Sequence, residues 1–259
     1  MPCSVLQTDL NPPSLDQLRR AFRTVPGLTE LDAHTLGQDA FGILVKNFPI
    51  ENAMALQGAL RREGVETEVV DQAQLPSLPP TKFVHRLNCT GAGLEIFDPL
   101  GRSFVVAWSH VMLVAAGPVR LTDFVNHKVS RPTVRFSAEE NPDLDYKEEL
   151  VTREERNFHL LLEIVLTRAV MRYSITADRF NFSCLGDRVT RDISQNFALL
   201  VQDVLSFAPG ASVNRGAQAV RDGASEWFPY PSKNAFFEEI TWMLWRLRRG
   251  PNPPPASSS

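Results

Sequence analysis

Three prolines within ten residues, QAQLPSLPPT at 72–81, separate two stretches of different hydrophobic period. Proline lacks a backbone donor and its ring clashes with a preceding helical turn, so this stretch serves neither as helix interior nor as central strand. Before it, apolar residues recur at helical spacing between short apolar runs; after it, they alternate with a period of two. A chain of 259 residues is longer than most single domains. The change of period therefore predicts an α+β protein of two packing units. The first covers residues 1–75, and 76–81 is a proline-rich linker. The second covers 82–210 and contains a charged insertion at 120–156. An extension at 211–249 holds an amphipathic helix, and 250–259, GPNPPPASSS, has the composition of a disordered tail.

Within the first unit, VLQTDLNPPSLDQLRRAF (5–22) aligns without gaps on ILVKNFPIENAMALQGAL (43–60). Each segment starts as a short apolar strand, turns at Asp or Asn, passes a proline and enters a helical pattern. Leu15, Leu18, Phe22 and Val25 fall on one face of the first helix, and Ser14 with Gln17 forms a capping box at its start. Thr29 is placed to cap a short helix through Leu31 and Leu36. Gly64 stands where the second helix should end, before a strand at Val65–Val70. Such units predict βαβ crossovers and a small sheet with helices on one face. The stretch GILVKNFPIENAMALQGALRREGVETEVVD resembles the compact βαβ half of ferredoxin-like domains. It is also similar to small bacterial domains of signal-transducing type.

In the second unit, Lys82–Cys89, Leu94–Phe97, Phe104–Trp108 and Val111–Ala115 read as successive strands, with a turn at Asp98-Pro99-Leu100-Gly101. The insertion follows. Its part from Glu139 to Arg156 carries eight acidic residues against three basic ones, which predicts a solvated loop or hairpin arm. Strands resume at Phe158–Leu166 and Ala169–Thr176, and Phe180 with Phe182 alternates as a short third. Ser194 opens a helix lined by Phe197, Leu200, Val201, Val204 and Leu205. Four strands, an insertion, three strands and a closing helix resemble a pleckstrin-homology-like barrel. LEIFDPLGRSFVVAWSHVMLVAAG and RYSITADRFNFSCLG are similar to an uncharacterised bacterial family that pairs such a barrel with a ferredoxin-like unit.

The net charge of −3 supplies no general basic field for nucleic acid. Cys3, Cys89 and Cys184 show neither metal-pair nor redox-pair spacing, and a reducing compartment suits three unpaired thiols. MPCSVLQTDLNPP lacks the basic start and apolar run of a signal peptide, and no apolar run approaches a bilayer span. These features predict a cytoplasmic protein that engages neither membrane nor nucleic acid.

Signs of catalysis are few. The chain has no phosphate-binding G-x-x-x-x-G-K-S/T loop, no H-E-x-x-H, no nucleophile elbow, and at Gly91-Ala92-Gly93 only part of a dinucleotide fingerprint. His85 and Cys89 on one strand would share a face yet stand too far apart for a nucleophile pair. The remaining histidines, His34, His110, His127 and His159, are scattered and give no ligand spacing. No catalytic residue, metal site or cofactor is therefore expected. Lys128, Arg131 and Arg135 could hold an anion, although pairing with the acidic run that follows is favoured. Trp108 is expected in the core.

The final helix constrains function most. Phe236, Phe237, Ile240, Met243, Leu244 and Leu247 form one apolar stripe, capped by Ser232 or Asn234. Trp242 and Trp245 lie outside it. Two indoles beyond the buried stripe need cover, from this chain or from a protein partner or second copy. These features predict a binding or adaptor protein with a regulatory role that acts through protein–protein contacts. The alternatives are a sensor with a small molecule between the two units and an enzyme of unrecognised type.

Overall fold

The computed structural model describes residues 1–39, 41–135, 143–167, 171–224 and 227–249, and the architecture is α+β. Two compact units result, one of residues 1–119 with 159–259, the other of residues 120–158.

In the larger unit, β1 (Pro2–Gln7), β2 (Ile43–Pro49) and β3 (Thr67–Asp71) form a sheet in the order β2-β1-β3, with β1 antiparallel to both neighbours. β2 and β3 are thus parallel and are joined by α3 (Ile50–Arg62), with β1 filling the gap between them. The expected crossover between β1 and β2 does not form. Two helices, α1 (Leu15–Phe22) and α2 (Glu30–Asp39), lie between those strands, and the chain returns antiparallel. An antiparallel neighbour requires no crossover, so similar local patterns lead to different strand directions.

The local signals act as the sequence suggests. The Ser14 hydroxyl accepts from Gln17 N–H, and the Gln17 side chain accepts from Ser14 N–H at 2.8 Å. Thr29 and Asp32 cap α2 reciprocally. Gly64, at φ +77°, takes the left-handed conformation that closes α3. Leu18, Phe22, Leu56 and Leu60 pack over Cys3, Val5 and Leu44 on one side of the sheet. Helices cover both faces, not one. The final helix α6 (Lys233–Arg249) lies against the other side, where the Trp242 indole N–H donates to the Gln7 carbonyl.

Beyond the connector, a five-stranded sheet runs in the order β11-β8-β9-β10-β4. Its strands are β4 (Thr81–Phe83), β8 (Val111–Arg135), β9 (Asp143–Leu166), β10 (Arg172–Thr176) and β11 (Ser212–Val213). A separate antiparallel sheet holds β5 (Leu87–Thr90), β6 (Gly93–Phe97) and β7 (Ser103–Val106). Leu94, Ile96, Val114, Leu162, Ile164 and Ile175 from the two sheets meet Phe197, Leu200, Val201 and Val204 of α4 (Ile193–Phe207) in one core.

Neither sheet closes into a barrel among the described residues. The strand expected at 82–89 is two strands in different sheets, because β4 pairs in parallel with β10 while β5 pairs with β6. A 3-10 turn at Trp108–His110 separates β7 from β8, and those two strands do not pair. The Phe180–Phe182 alternation is not a strand either. The Asn181 side chain accepts from Ser183 N–H and starts a 3-10 segment at Phe182–Arg188. Asp192, two residues before the expected Ser194, caps α4.

Helix α5 (Arg215–Arg221) sits directly on β8. A Cβ on Gly216 would lie 1.9 Å from the Ala116 carbonyl oxygen. Because the obstacle is backbone, Gly216→Ala is expected to destabilise the protein by about 1–3 kcal/mol. A thermal melt checks this, and an unchanged midpoint would contradict so close an approach.

Candidate interaction surface

The unit of residues 120–158 consists of the continuing strands β8 and β9, which are hydrogen-bonded neighbours. Its side chains define the ribbon's two faces. Asn157 donates to Asp123 at 3.0 Å, and His127 Nε2 lies 2.9 Å from Glu155. Thr152 donates to Asn126 at 2.7 Å, Lys128 pairs with Glu148 at 3.5 Å, and the Arg120 guanidinium sits 5.0 Å from the Phe158 ring centre. Every contact joins odd number to odd or even to even. In an antiparallel ribbon, residues opposite or diagonally opposite share a face. Odd positions thus form one face and even positions the other. On the odd face Leu121, Val125 and Val129 are half-buried. The even face carries Phe124, 70% exposed, Leu150, 69% exposed, and Phe158, 50% exposed.

The ribbon also sorts charge by strand. Residues 120–135 hold four basic residues and one acidic, a net +3; residues 143–158 hold three basic and six acidic, a net −3. Of the expected anion-binding trio, Lys128 pairs with Glu148. The side chains of Arg131 and Arg135, and residues 136–142 of the charged insertion, lie outside the described residues.

Trp242 and Trp245 do not form an exposed partner surface. Both are buried, at 9% and 7% exposure, and the chain itself covers them. Trp242 donates to the Gln7 carbonyl at 2.7 Å, and Trp245 donates to the Glu68 carboxylate at 2.9 Å. Arg249 also pairs with Glu68, and Lys46 of β2 reaches Glu238 of α6 at 2.9 Å. The expected stripe is buried at Phe236, Ile240, Met243 and Leu244, so α6 is enclosed on more than one side; Leu247, at its end, is exposed. Ser232 is the cap, accepting from Ala235 N–H.

His85 lies between β4 and β5, with Nδ1 3.1 Å from the Arg179 carbonyl oxygen. Burial is the main cause that pushes the Cys89 thiol up to about 12 and the Cys184 thiol up to about 11, far from the thiolate range. Among the described residues no group of three or more His, Cys, Asp or Glu is placed to hold a metal ion. Trp108 is half-buried, donates to the Thr90 carbonyl and stacks on Phe207. A recess of about 250 Å³ beside the connector, lined by Pro79, Met112, Val165, Leu244 and Leu247, is smaller than most ligand sites.

Sequence reasoning missed two buried polar clusters. In the first, the Asn214 side chain accepts from Ala116 and Ala217 N–H and donates to the Tyr230 hydroxyl, which donates to Glu239 at 2.6 Å. The Arg215 guanidinium lies between the Phe41 and Phe228 rings. Burial first, and then the Glu239 carboxylate, push the Tyr230 phenol well above its ordinary range, which leaves it a neutral donor. In the second, Arg172 pairs with the buried Glu163 at 2.8 Å. Only Asn214, as a helix cap before α5, gave a local signal for either.

No protein-family model matches this chain, and neither a curated protein nor a solved structure matches it. No helix among the described residues is long and apolar enough to cross a membrane.

Proposed function

We propose that this chain is a binding or adaptor protein that works through protein–protein contacts, and that the ribbon of residues 120–158 is its contact element. The observation that carries this reading is the even face of the ribbon. It presents Phe124, Leu150 and Phe158 to solvent on a two-stranded element. Two-stranded hairpins are marginally stable in water, and large exposed aromatics belong at the centres of interfaces more than on free surfaces. A covering partner supplies the missing burial. The strand order β2-β1-β3, with α3 joining the two outer strands, further supports a ferredoxin-like half at the N-terminus.

The test places a photo-crosslinking amino acid at Phe124 in the full chain and, as a control, at Met54, which is 61% exposed on α3. A discrete protein adduct from position 124 and none from position 54 is expected on irradiation in cells that express the chain. Equal adduct patterns at both positions, or no adduct at 124, would overturn the assignment of the ribbon as the contact element.

A further inference from the structure

We infer that the partner for the even face of the ribbon is the same face of a second copy, with the two arms pointing in the same direction. The inference rests on the ribbon being the contact element and adds the occupant and its orientation.

Two identical ribbons can stack face to face about a two-fold axis in two ways. With the axis across the arms, β8 lies over β8 of the second copy and β9 over β9. With the axis along the arms, β8 lies over β9 and β9 over β8. The charges separate these arrangements. On the even face, β8 carries Arg120 and Lys128, +2, and β9 carries Glu148, Glu154 and Arg156, −1. Stacked sheets lie about 10 Å apart, close to the screening length at moderate salt, so these charges are felt across the stack. Like strands over like would set +2 against +2 and −1 against −1. Unlike strands over unlike set +2 against −1 twice. Charge complementarity therefore selects the parallel arrangement.

The apolar residues fit the same arrangement. Asn157 is hydrogen-bonded to Asp123, which sets Phe158 near position 122, so Phe158 lies about two residues from Phe124 along the arm. When β8 covers β9 of the second copy, Phe124 approaches the second copy's Phe158, and the symmetry repeats the contact. Likewise Lys128 and Glu148, paired within one chain, come into register with Glu148 and Lys128 of the other. The size is sufficient but small. Sixteen residues in each strand span about 53 Å, and two strands are about 10 Å wide, so each face offers about 500 Å² and the pair buries about 1,000 Å² in total. That is the lower bound for a specific interface, so the association should depend on concentration and be reversible.

The experiment is sedimentation of the full chain across the micromolar range, at low and high salt. The mass should rise toward that of two chains with concentration, and high salt should weaken the rise. Phe124→Ser with Phe158→Ser should abolish the association and leave the melting midpoint unchanged, since both side chains are exposed. Orientation is read by charge exchange. Lys128→Glu alone and Glu148→Lys alone should each weaken self-association severalfold, and an equimolar mixture of the two variants should associate more strongly than either alone, because both contacts between unlike copies then join opposite charges. The double variant Lys128→Glu with Glu148→Lys should restore it, because every contact within and between chains is then re-formed with signs exchanged. A chain that stays monomeric at the highest concentration would overturn the inference. So would association that survives Phe124→Ser with Phe158→Ser, or a double variant no better than the singles. The Phe124 crosslink separates this inference from the reading beneath it. An adduct with another copy of the chain supports both. An adduct only with a different protein overturns the second copy but leaves the ribbon as contact element. No adduct removes both.

Discussion

Replacing Trp242 with alanine should destabilise the protein by about 3–5 kcal/mol, the range for removing a large buried aromatic. The indole lies where three constraints meet. Its N–H donates to the Gln7 carbonyl at the end of β1, and its exposure is only 9%. The backbone of Gly42, at φ +86°, passes so close that a Cβ there would lie 2.4 Å from the indole Cγ. Truncation thus opens a cavity between α6 and the N-terminal sheet and leaves a buried carbonyl without its donor. Trp242→Phe retains most of the volume and loses only the hydrogen bond, so its cost should be smaller, about 1–3 kcal/mol. Urea denaturation of the two variants checks both values. A Trp242→Ala variant within about 1 kcal/mol of the parent would mean that α6 is not fixed to the sheet, since only surface changes are that mild.

The second face of α6 is not legible in its own sequence. A helical wheel gives the apolar stripe and shows that Trp242 and Trp245 lie off it. It does not say what meets the second face. The acceptors that satisfy these indoles come from residues 7 and 68, far away in sequence, and no local pattern announces them. The helix ends that can be read are those whose partners are near neighbours: the Ser14 and Gln17 box, the Thr29 and Asp32 pair, and the turn at Gly64. Strand identity is less local. The β4 and β5 segments share one alternating pattern, but long-range pairing sends them to different sheets, and the barrel expected from their order does not close. Charge runs are intermediate. The opposition between a basic strand and an acidic one is visible in the composition, and Lys128 meets Glu148 as that opposition suggests. The exposed apolar residues of the ribbon are different. Phe124, Leu150 and Phe158 can be placed on one face only after the strand register is known, so the sequence alone did not mark the ribbon as a contact element.

Arg172→Ala should cost about 3–5 kcal/mol at neutral pH, because it leaves a buried carboxylate without its counter-charge. Glu163 is 1% exposed in β9, and Arg172, beside it in β10, donates to it from Nε at 2.8 Å. The same arginine fixes the connector. Its Nη1 donates to the Pro79 carbonyl, its backbone N–H donates to the Pro80 carbonyl, and its guanidinium rests 4.7 Å from the Phe237 ring centre of α6. One side chain therefore ties β9, β10, the proline-rich stretch and the final helix together. The pH dependence distinguishes loss of charge from loss of packing. Burial pushes the Glu163 carboxyl above its ordinary range, against the opposing pull of the Ser174 hydroxyl and Arg172. A carboxyl with a raised folded value is penalised once pH exceeds the unfolded value, about 4.3, and the penalty is relieved as pH falls through the folded value. Removing Arg172 raises the folded value further. The variant's loss of stability should accordingly be largest at neutral pH and shrink in mildly acidic solution, where Glu163 takes up a proton. Adding Glu163→Gln to Arg172→Ala should recover much of the loss at neutral pH. Denaturation curves at the two pH values, with the double variant alongside, check this. A cost that is the same at both pH values, with no recovery in the double variant, would show that Arg172 acts by packing against Phe237 and the connector and not by balancing the buried charge.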